Sequence, residues 1–168
     1  MQSATAILTG NLPAEPNSFI GRERDLAELA RLLGEVRALT LSGPGGIGKT
    51  RLAVRLARDV LSGGDEGPGD LDEAWLVELA DWHGPVAQAV ATALGIREEQ
   101  GVPLAQTLAE ALRSRHMLLI LDTCEHQVSD CATLVQLLLA RCPWLRIIGH
   151  QPGAAAGAGR DGVAGAAA

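Results

Sequence analysis

Gly43-Pro44-Gly45-Gly46-Ile47-Gly48-Lys49-Thr50 is the stretch that decides how this chain of 168 residues folds. It fits the Walker A pattern G-x-x-x-x-G-K-[ST] at every required position. An apolar, strand-prone run from Val36 to Leu41 leads into it, and Leu52, Leu56 and Val60 leave it at helical spacing. Strand, loop and helix thus follow one another in the order that phosphate binding needs. The glycines let successive backbone N–H groups turn inward around a polyphosphate, and the following helix adds the partial positive charge of its N-terminus. On this reading Gly43, Gly45, Gly46, Ile47, Gly48, Lys49, Thr50 and Arg51 line the phosphates. Lys49 is the cation for the β- and γ-phosphates, and Thr50 offers its hydroxyl to Mg²⁺.

A carboxylate at the end of a neighbouring buried strand is then required for the metal. Met117-Leu118-Leu119-Ile120-Leu121-Asp122 supplies it. Five apolar residues predict a central strand covered on both faces, with Asp122 emerging at the C-terminal edge, where open α/β sheets bind ligands. Any buried strand ending in Asp matches this Walker B pattern, so its force comes from the loop upstream.

Composition is compatible with one domain that has a real core, at 47% hydrophobic residues. The net charge of −6 leaves no basic stripe for neutralising nucleic-acid phosphates, and an aromatic content of 2% leaves few stacking platforms. Direct nucleic-acid binding by this chain is therefore not expected. No apolar stretch approaches a membrane span, and Met1 to Leu12 lacks the pattern of a signal peptide, so the expected location is cytoplasmic. Cys124, Cys131 and Cys142 have no C-x-x-C spacing and read as reduced thiols near a core. Cys124-Glu125-His126 has no further ligand cluster to make a metal or nucleophile centre.

Along the chain, Leu26, Leu29 and Leu33 predict a helix ending near Gly34. After the phosphate loop and its helix, Ala74 to Leu79 predicts a second strand, and Pro85 to Leu94 a helix. Pro103 opens another helix, with Leu104, Leu108 and Leu112 on one face and Arg113 and Arg115 in its last turn. The Asp122 strand follows. Ser129 is positioned to cap a helix that stops before Pro143, and Trp144 to Ile148 predicts a fourth strand. The alternation predicts an α/β fold of the P-loop NTPase kind, with a parallel sheet of about four strands and helices on both faces.

Four blocks in order carry a more specific resemblance: Phe19-Ile20-Gly21-Arg22-Glu23, the phosphate-loop segment Leu41 to Ala53, Trp75-Leu76-Val77-Glu78-Leu79-Ala80, and Leu119-Ile120-Leu121-Asp122-Thr123-Cys124-Glu125-His126. Together they resemble the nucleotide-binding domain of bacterial signal-transduction ATPases. Those are NB-ARC-like, AAA-related switches of large LuxR-family and antibiotic-regulator-type transcription factors. The resemblance runs from about Asn11 to Ile148. It implies ATP or ADP with Mg²⁺ as ligands, and a sheet order of 2-3-4-1 in which the phosphate-loop strand lies beside the fourth strand. Arg22 would lie beside the nucleotide, and Glu125 would polarise an attacking water. Lys49, Asp122 and Glu125 are thus the catalytic candidates, and Thr50 and Asp122 the metal ligands. Thr123 stands where many related ATPases carry an acidic residue, so hydrolysis is expected to be slow, as suits a switch. An intact relative would bind DNA and self-associate.

The resemblance stops near residue 149. The family continues with a Thr-Ser-Arg block, a fifth strand, a lid and a winged helix, whereas here thirteen of the sixteen residues from Gly153 to Ala168 are Gly or Ala. Residues 1–18 therefore read as an extended lead-in, 19–149 as an incomplete nucleotide-binding core and 150–168 as a disordered tail. Shifting the reading frame by one base just before His150 allows a Thr-Ser-Arg continuation with GC-rich codons, which fits a frameshift; a natural Gly/Ala linker is the alternative. Two alternative functions are a small P-loop phosphotransferase, which lacks an arginine-bearing lid here, and an inert truncated remnant.

Overall fold

The computed structural model describes residues 9–15, 21–43, 48–63, 67–122, 124–152 and 166–167. The expectations for Phe19, Ile20, Gly45, Gly46, Ile47, Thr123 and most of the Gly/Ala segment fall outside them.

The chain begins with a short strand β1 (Thr9–Gly10), followed by helix α1 (Glu23–Glu35), strand β2 (Ala38–Gly43) and helix α2 (Lys49–Leu61). Strand β3 (Glu73–Glu78), helices α3 (Val86–Leu94) and α4 (Leu104–Leu112), and strand β4 (Met117–Asp122) come next. Helix α5 (Val128–Arg141), strand β5 (Leu145–Pro152) and a two-residue strand β6 (Ala166–Ala167) complete the order. The sheet runs β1-β3-β4-β5-β2-β6. Its first five strands are parallel, and β6 pairs antiparallel with β2. Strands β3, β4, β5 and β2 are the four predicted from sequence, in the 2-3-4-1 order expected of them.

Strand β4 shows why the sheet is central. Its side chains alternate between two cores: Met117, Leu119 and Leu121 face one, Leu118 and Ile120 the other, and all five are at most 1% exposed. On the first face α3, α4 and α5 pack Val90, Leu108, Leu112, Leu134 and Leu138 against the sheet. On the second, α1 and α2 contribute Leu29, Leu33, Leu52 and Leu56. The result is an α/β/α layering in which β2, β4 and β5 end at one C-terminal edge of the parallel sheet.

Polar contacts join the layers at their margins. Arg146 Nη1 donates to the carbonyls of Leu33 (2.5 Å) and Val36 (3.1 Å), satisfying acceptors at the end of α1 that the helix cannot reach itself. Asn11 mimics a strand residue against β3: its Nδ2 donates to Leu76 O at 2.8 Å, and its Oδ1 accepts from Leu76 N at 2.7 Å. Arg115 makes a two-nitrogen contact with the buried carboxylate of Glu73, through Nε at 2.6 Å and through Nη2. Burial alone would raise the Glu73 carboxyl, but hydrogen bonds from Arg115 and Trp75 outweigh it and hold the group below its ordinary value.

Three local expectations are corrected. Arg113 is the C-cap of α4, and Arg115 lies beyond it, drawn away from the helix end by Glu73. Ser129 does not cap α5: the helix already starts at Val128, and its N-cap is Gln127, whose side chain donates to Trp82 O (3.0 Å) and Gly84 O (3.1 Å) in the β3–α3 connection. The fourth predicted strand starts one residue later and runs to Pro152, because pairing with β2 continues through Leu41↔His150, Ser42↔Gln151 and Gly43↔Pro152.

Candidate functional site

The ends of β2, β4 and β5 and the start of α2 meet at one place on the C-terminal edge of the sheet. Strand β2 ends at Gly43, and α2 begins at Lys49 directly after its N-cap Gly48. Gly48 has φ +79°, the left-handed region that lets the chain turn from loop into helix without a Cβ penalty. The first turn of α2 therefore directs its backbone N–H groups toward the loop, a ready anion site in principle.

Two side chains of that first turn reach back toward the sheet. Lys49 Nζ donates to the carbonyl oxygen of Gly43, across the mouth of the loop. Thr50 Oγ1 donates to Asp122 Oδ2 at 2.7 Å. This hydroxyl and this carboxylate, 72 positions apart in sequence, are thus in direct contact. Register explains the meeting: β4 lies one strand away from β2, with β5 between them, and both end at the same edge.

The second oxygen of Asp122 is held by a residue that sequence reading did not single out. His150 Nδ1 lies 2.5 Å from Asp122 Oδ1, and the His150 ring is 2% exposed. Parallel pairing carries Ile120↔Ile148 and Leu121↔Gly149, so the next step along both strands brings Asp122 and His150 side by side. His150 also pairs with Leu41 of the phosphate-loop strand, and its carbonyl accepts from Cys124 N at 3.3 Å. A polar residue as far along the flanking strand as Asp122 is along β4 was the available signal; the expectation of a tail starting at residue 150 hid it. His150 Nε2 is buried without a hydrogen-bond partner among the described residues.

The other candidates stand farther from this centre. Arg22 is the N-cap of α1; its carbonyl accepts from Leu26 N at 3.0 Å and its Nε lies 3.7 Å from Asp25, so its described partners belong to its own helix. Glu125 is exposed in the turn between β4 and α5, and Arg51 is exposed on α2.

The donor set can be tested for Mg²⁺. A hydroxyl and a carboxylate 2.7 Å apart are hard oxygen ligands, and no group of three or more His, Cys, Asp or Glu among the described residues makes an all-protein metal cage. That combination suits Mg²⁺, which takes one or two protein oxygens and completes its shell with phosphate oxygens and water. The residues fit the group.

Comparison with solved structures agrees with the architecture. The ORC2 protein of Aeropyrum pernix, solved as ADPNP and ADP complexes, superposes with a TM-score of 0.59 at 18% identity, over 85% of this chain and 43% of that one. The fold is that of a P-loop NTPase. No protein-family model matches the chain. An uncharacterised protein of Mycobacterium tuberculosis is 34% identical over 131 residues, 78% of this chain and 32% of its own length. A second protein of that organism, named as a candidate HTH-type transcriptional regulator, is 39% identical over 117 residues, 70% of this chain and 13% of its own length. The chain thus spans about a third of the length of the first relative and far less of the second. In a P-loop NTPase fold the Thr50–Asp122 contact falls at the C-terminal edge of the parallel sheet, the ligand-binding edge of open α/β folds. Among the described residues no helix is long and apolar enough to cross a membrane.

Proposed function

We propose that this chain is a nucleotide-binding switch domain of the NB-ARC kind, taking ATP or ADP with Mg²⁺ in the cytoplasm, and that its longer relatives couple it to DNA binding. The observation that carries this reading is the 2.7 Å contact between Thr50 Oγ1 and Asp122 Oδ2. The likeness to a relative named as a candidate HTH-type regulator supports the regulatory setting.

Each residue then has the role that the phosphate-loop pattern and the family resemblance assign to it. Gly43, Gly45, Gly46, Ile47, Gly48 and Arg51 surround the phosphates, and the α2 N-terminus supplies N–H donors. Lys49 exchanges the Gly43 carbonyl for a phosphate oxygen, so its ammonium gains a full ion pair in place of a contact with a neutral acceptor. Thr50 and Asp122 hold Mg²⁺. When bound, the metal neutralises phosphate charge. His150 fixes the Asp122 carboxylate so that the oxygen facing Thr50 keeps its direction. Arg22 approaches the nucleotide from the start of α1, and Glu125 orients water.

Turnover is slow on this account. Glu125 is exposed in the turn after β4, three positions beyond Asp122, and Thr123 supplies no carboxylate. The attacking water therefore has no carboxylate directly after Asp122 to orient it. The test is Mg²⁺-dependent nucleotide binding measured by calorimetry. Asp122→Ala should abolish most of the metal dependence and leave metal-free binding nearly unchanged, with ATP turnover far below one per second. Equal metal dependence in both proteins, or turnover of several per second, contradicts the proposal.

A further inference from the structure

Below the sheet edge that carries Asp122, between β4, β5 and α5, lies a cavity of about 230 Å³. Its floor is apolar, formed by Leu121 and Ile147 with Ala38 of β2, and its rim is formed by Val128, Ala132 and Gln136, all exposed residues of α5. It therefore opens to solvent. Two of the three cysteines of the chain line it: Cys124, in the turn after β4, and Cys131, in the first turn of α5. Both are free thiols, 5% and 6% exposed, and Cys124 Sγ donates to Leu121 O at 3.5 Å.

The backbone holds this pair in place. Gln127 N donates to Cys124 O at 3.1 Å, and Cys131 N donates to Gln127 O at 2.9 Å, so two consecutive hydrogen-bonded turns place both cysteines at the same cavity. Their shared position is thus set by the chain path. Cys142 is different. Its thiol donates to Ala109 O at 3.3 Å on the far part of the same core, and it does not line the cavity.

We propose that Cys124 and Cys131 form a dithiol site that a peroxide entering the cavity oxidises to an intramolecular disulfide. In the first step one sulfur attacks a peroxide oxygen; the O–O bond breaks, an S–O bond forms and one water leaves, giving a sulfenic acid. In the second, the other sulfur attacks the sulfenic sulfur; the S–S bond forms, the S–O bond breaks, and a second water leaves with the remaining thiol proton. The two thiols together lose two electrons and two protons, and the peroxide is reduced to two waters. The cavity explains the pairing of roles: it is wide enough for peroxide and places the resolving thiol beside the first. The bond ties the turn that follows Asp122 to the start of α5.

The experiment uses the whole chain. Hydrogen peroxide in small excess is followed by alkylation under denaturing conditions and tryptic mass spectrometry. No Lys or Arg lies between His116 and Ala140, so Cys124 and Cys131 share the peptide ending at Arg141, while Cys142 falls in the next. The expected product is a first peptide two hydrogens lighter than the reduced one and free of alkyl label, beside a fully alkylated Cys142 peptide. Cys142→Ser should keep this product and Cys131→Ser should lose it. Because substitutions in a core can impair folding, the wild-type protein is also titrated with phenylarsine oxide, which bridges only adjacent thiols; one equivalent per chain is expected. Alkylation of both Cys124 and Cys131 after peroxide, oxidation of Cys142 at the same rate, or no stoichiometric arsenical binding would overturn the proposal.

Discussion

Replacing His150 with alanine removes the contact that most distinguishes this site from a bare Walker pair. Two losses combine. The hydrogen bond to Asp122 Oδ1 at 2.5 Å involves a carboxylate, and such bonds contribute roughly 1.5–3 kcal/mol. The imidazole is also 2% exposed, so its removal leaves a cavity between β4, β5 and β2, whose cost scales at about 24 cal/mol per Å³ of unfilled volume. Together these give a destabilisation of about 2–4 kcal/mol, against a total stability on the order of 5–15 kcal/mol for a domain. Urea unfolding followed by far-ultraviolet circular dichroism reads this as a lower midpoint at unchanged slope. His150→Asn, whose amide nitrogen can occupy the place of Nδ1, should recover part of the loss. A change below about 0.5 kcal/mol, the range of substitutions at ordinary surface positions, would show that His150 is not built into the sheet and that the strand ends before it.

Glu73 is held below its ordinary pKa, so its contribution to stability is complete above the unfolded-state value of about 4.3 and is lost as pH falls through the lower folded-state value. Glu73→Gln should accordingly be less stable than wild type at neutral pH, with the gap closing in acid; a gap that widens in acid would refute the ion-pair account. Among the described residues a Cβ at Gly48 meets no atom within 4 Å, so Gly48→Ala costs the left-handed backbone, about 1–2 kcal/mol in thermal unfolding. Leu119→Ala, at a fully buried position of β4, should cost about 2–5 kcal/mol, and a cost under about 1 kcal/mol would mean that β4 is not central.

What the sequence disclosed follows from where its signals are local. Residues Gly43 to Thr50 read as strand, loop and helix because each step rests on neighbouring residues, and β4 reads as central because five consecutive apolar side chains have no solvated face to occupy. The order of the sheet comes with the family resemblance and with the right-handed crossovers of parallel strands. The rest depends on contacts between distant positions. Nothing near Arg115 announces Glu73, 42 positions away, so the Arg reads as belonging to its own helix end. Ser129 is a good cap residue, yet α5 starts earlier because Gln127 and Asp130 serve the β3–α3 connection instead, Asp130 Oδ2 accepting from Val86 N at 2.7 Å. His150 escapes notice for a similar reason. A glycine- and alanine-rich continuation argues for a tail, but its first residues complete the pairing of β5 with β2 and place an imidazole on Asp122.

The central claim is that the meeting of α2 and β4 is a nucleotide site, and Lys49→Ala tests it most directly. Calorimetric titration of the purified chain with ATP and Mg²⁺ should give saturable binding at one site. The variant should bind at least about tenfold more weakly, because a charge-assisted contact of about 1.5–3 kcal/mol is removed while the fold is kept. Equal affinity of wild type and Lys49→Ala for ATP, with both proteins folded, would contradict the account.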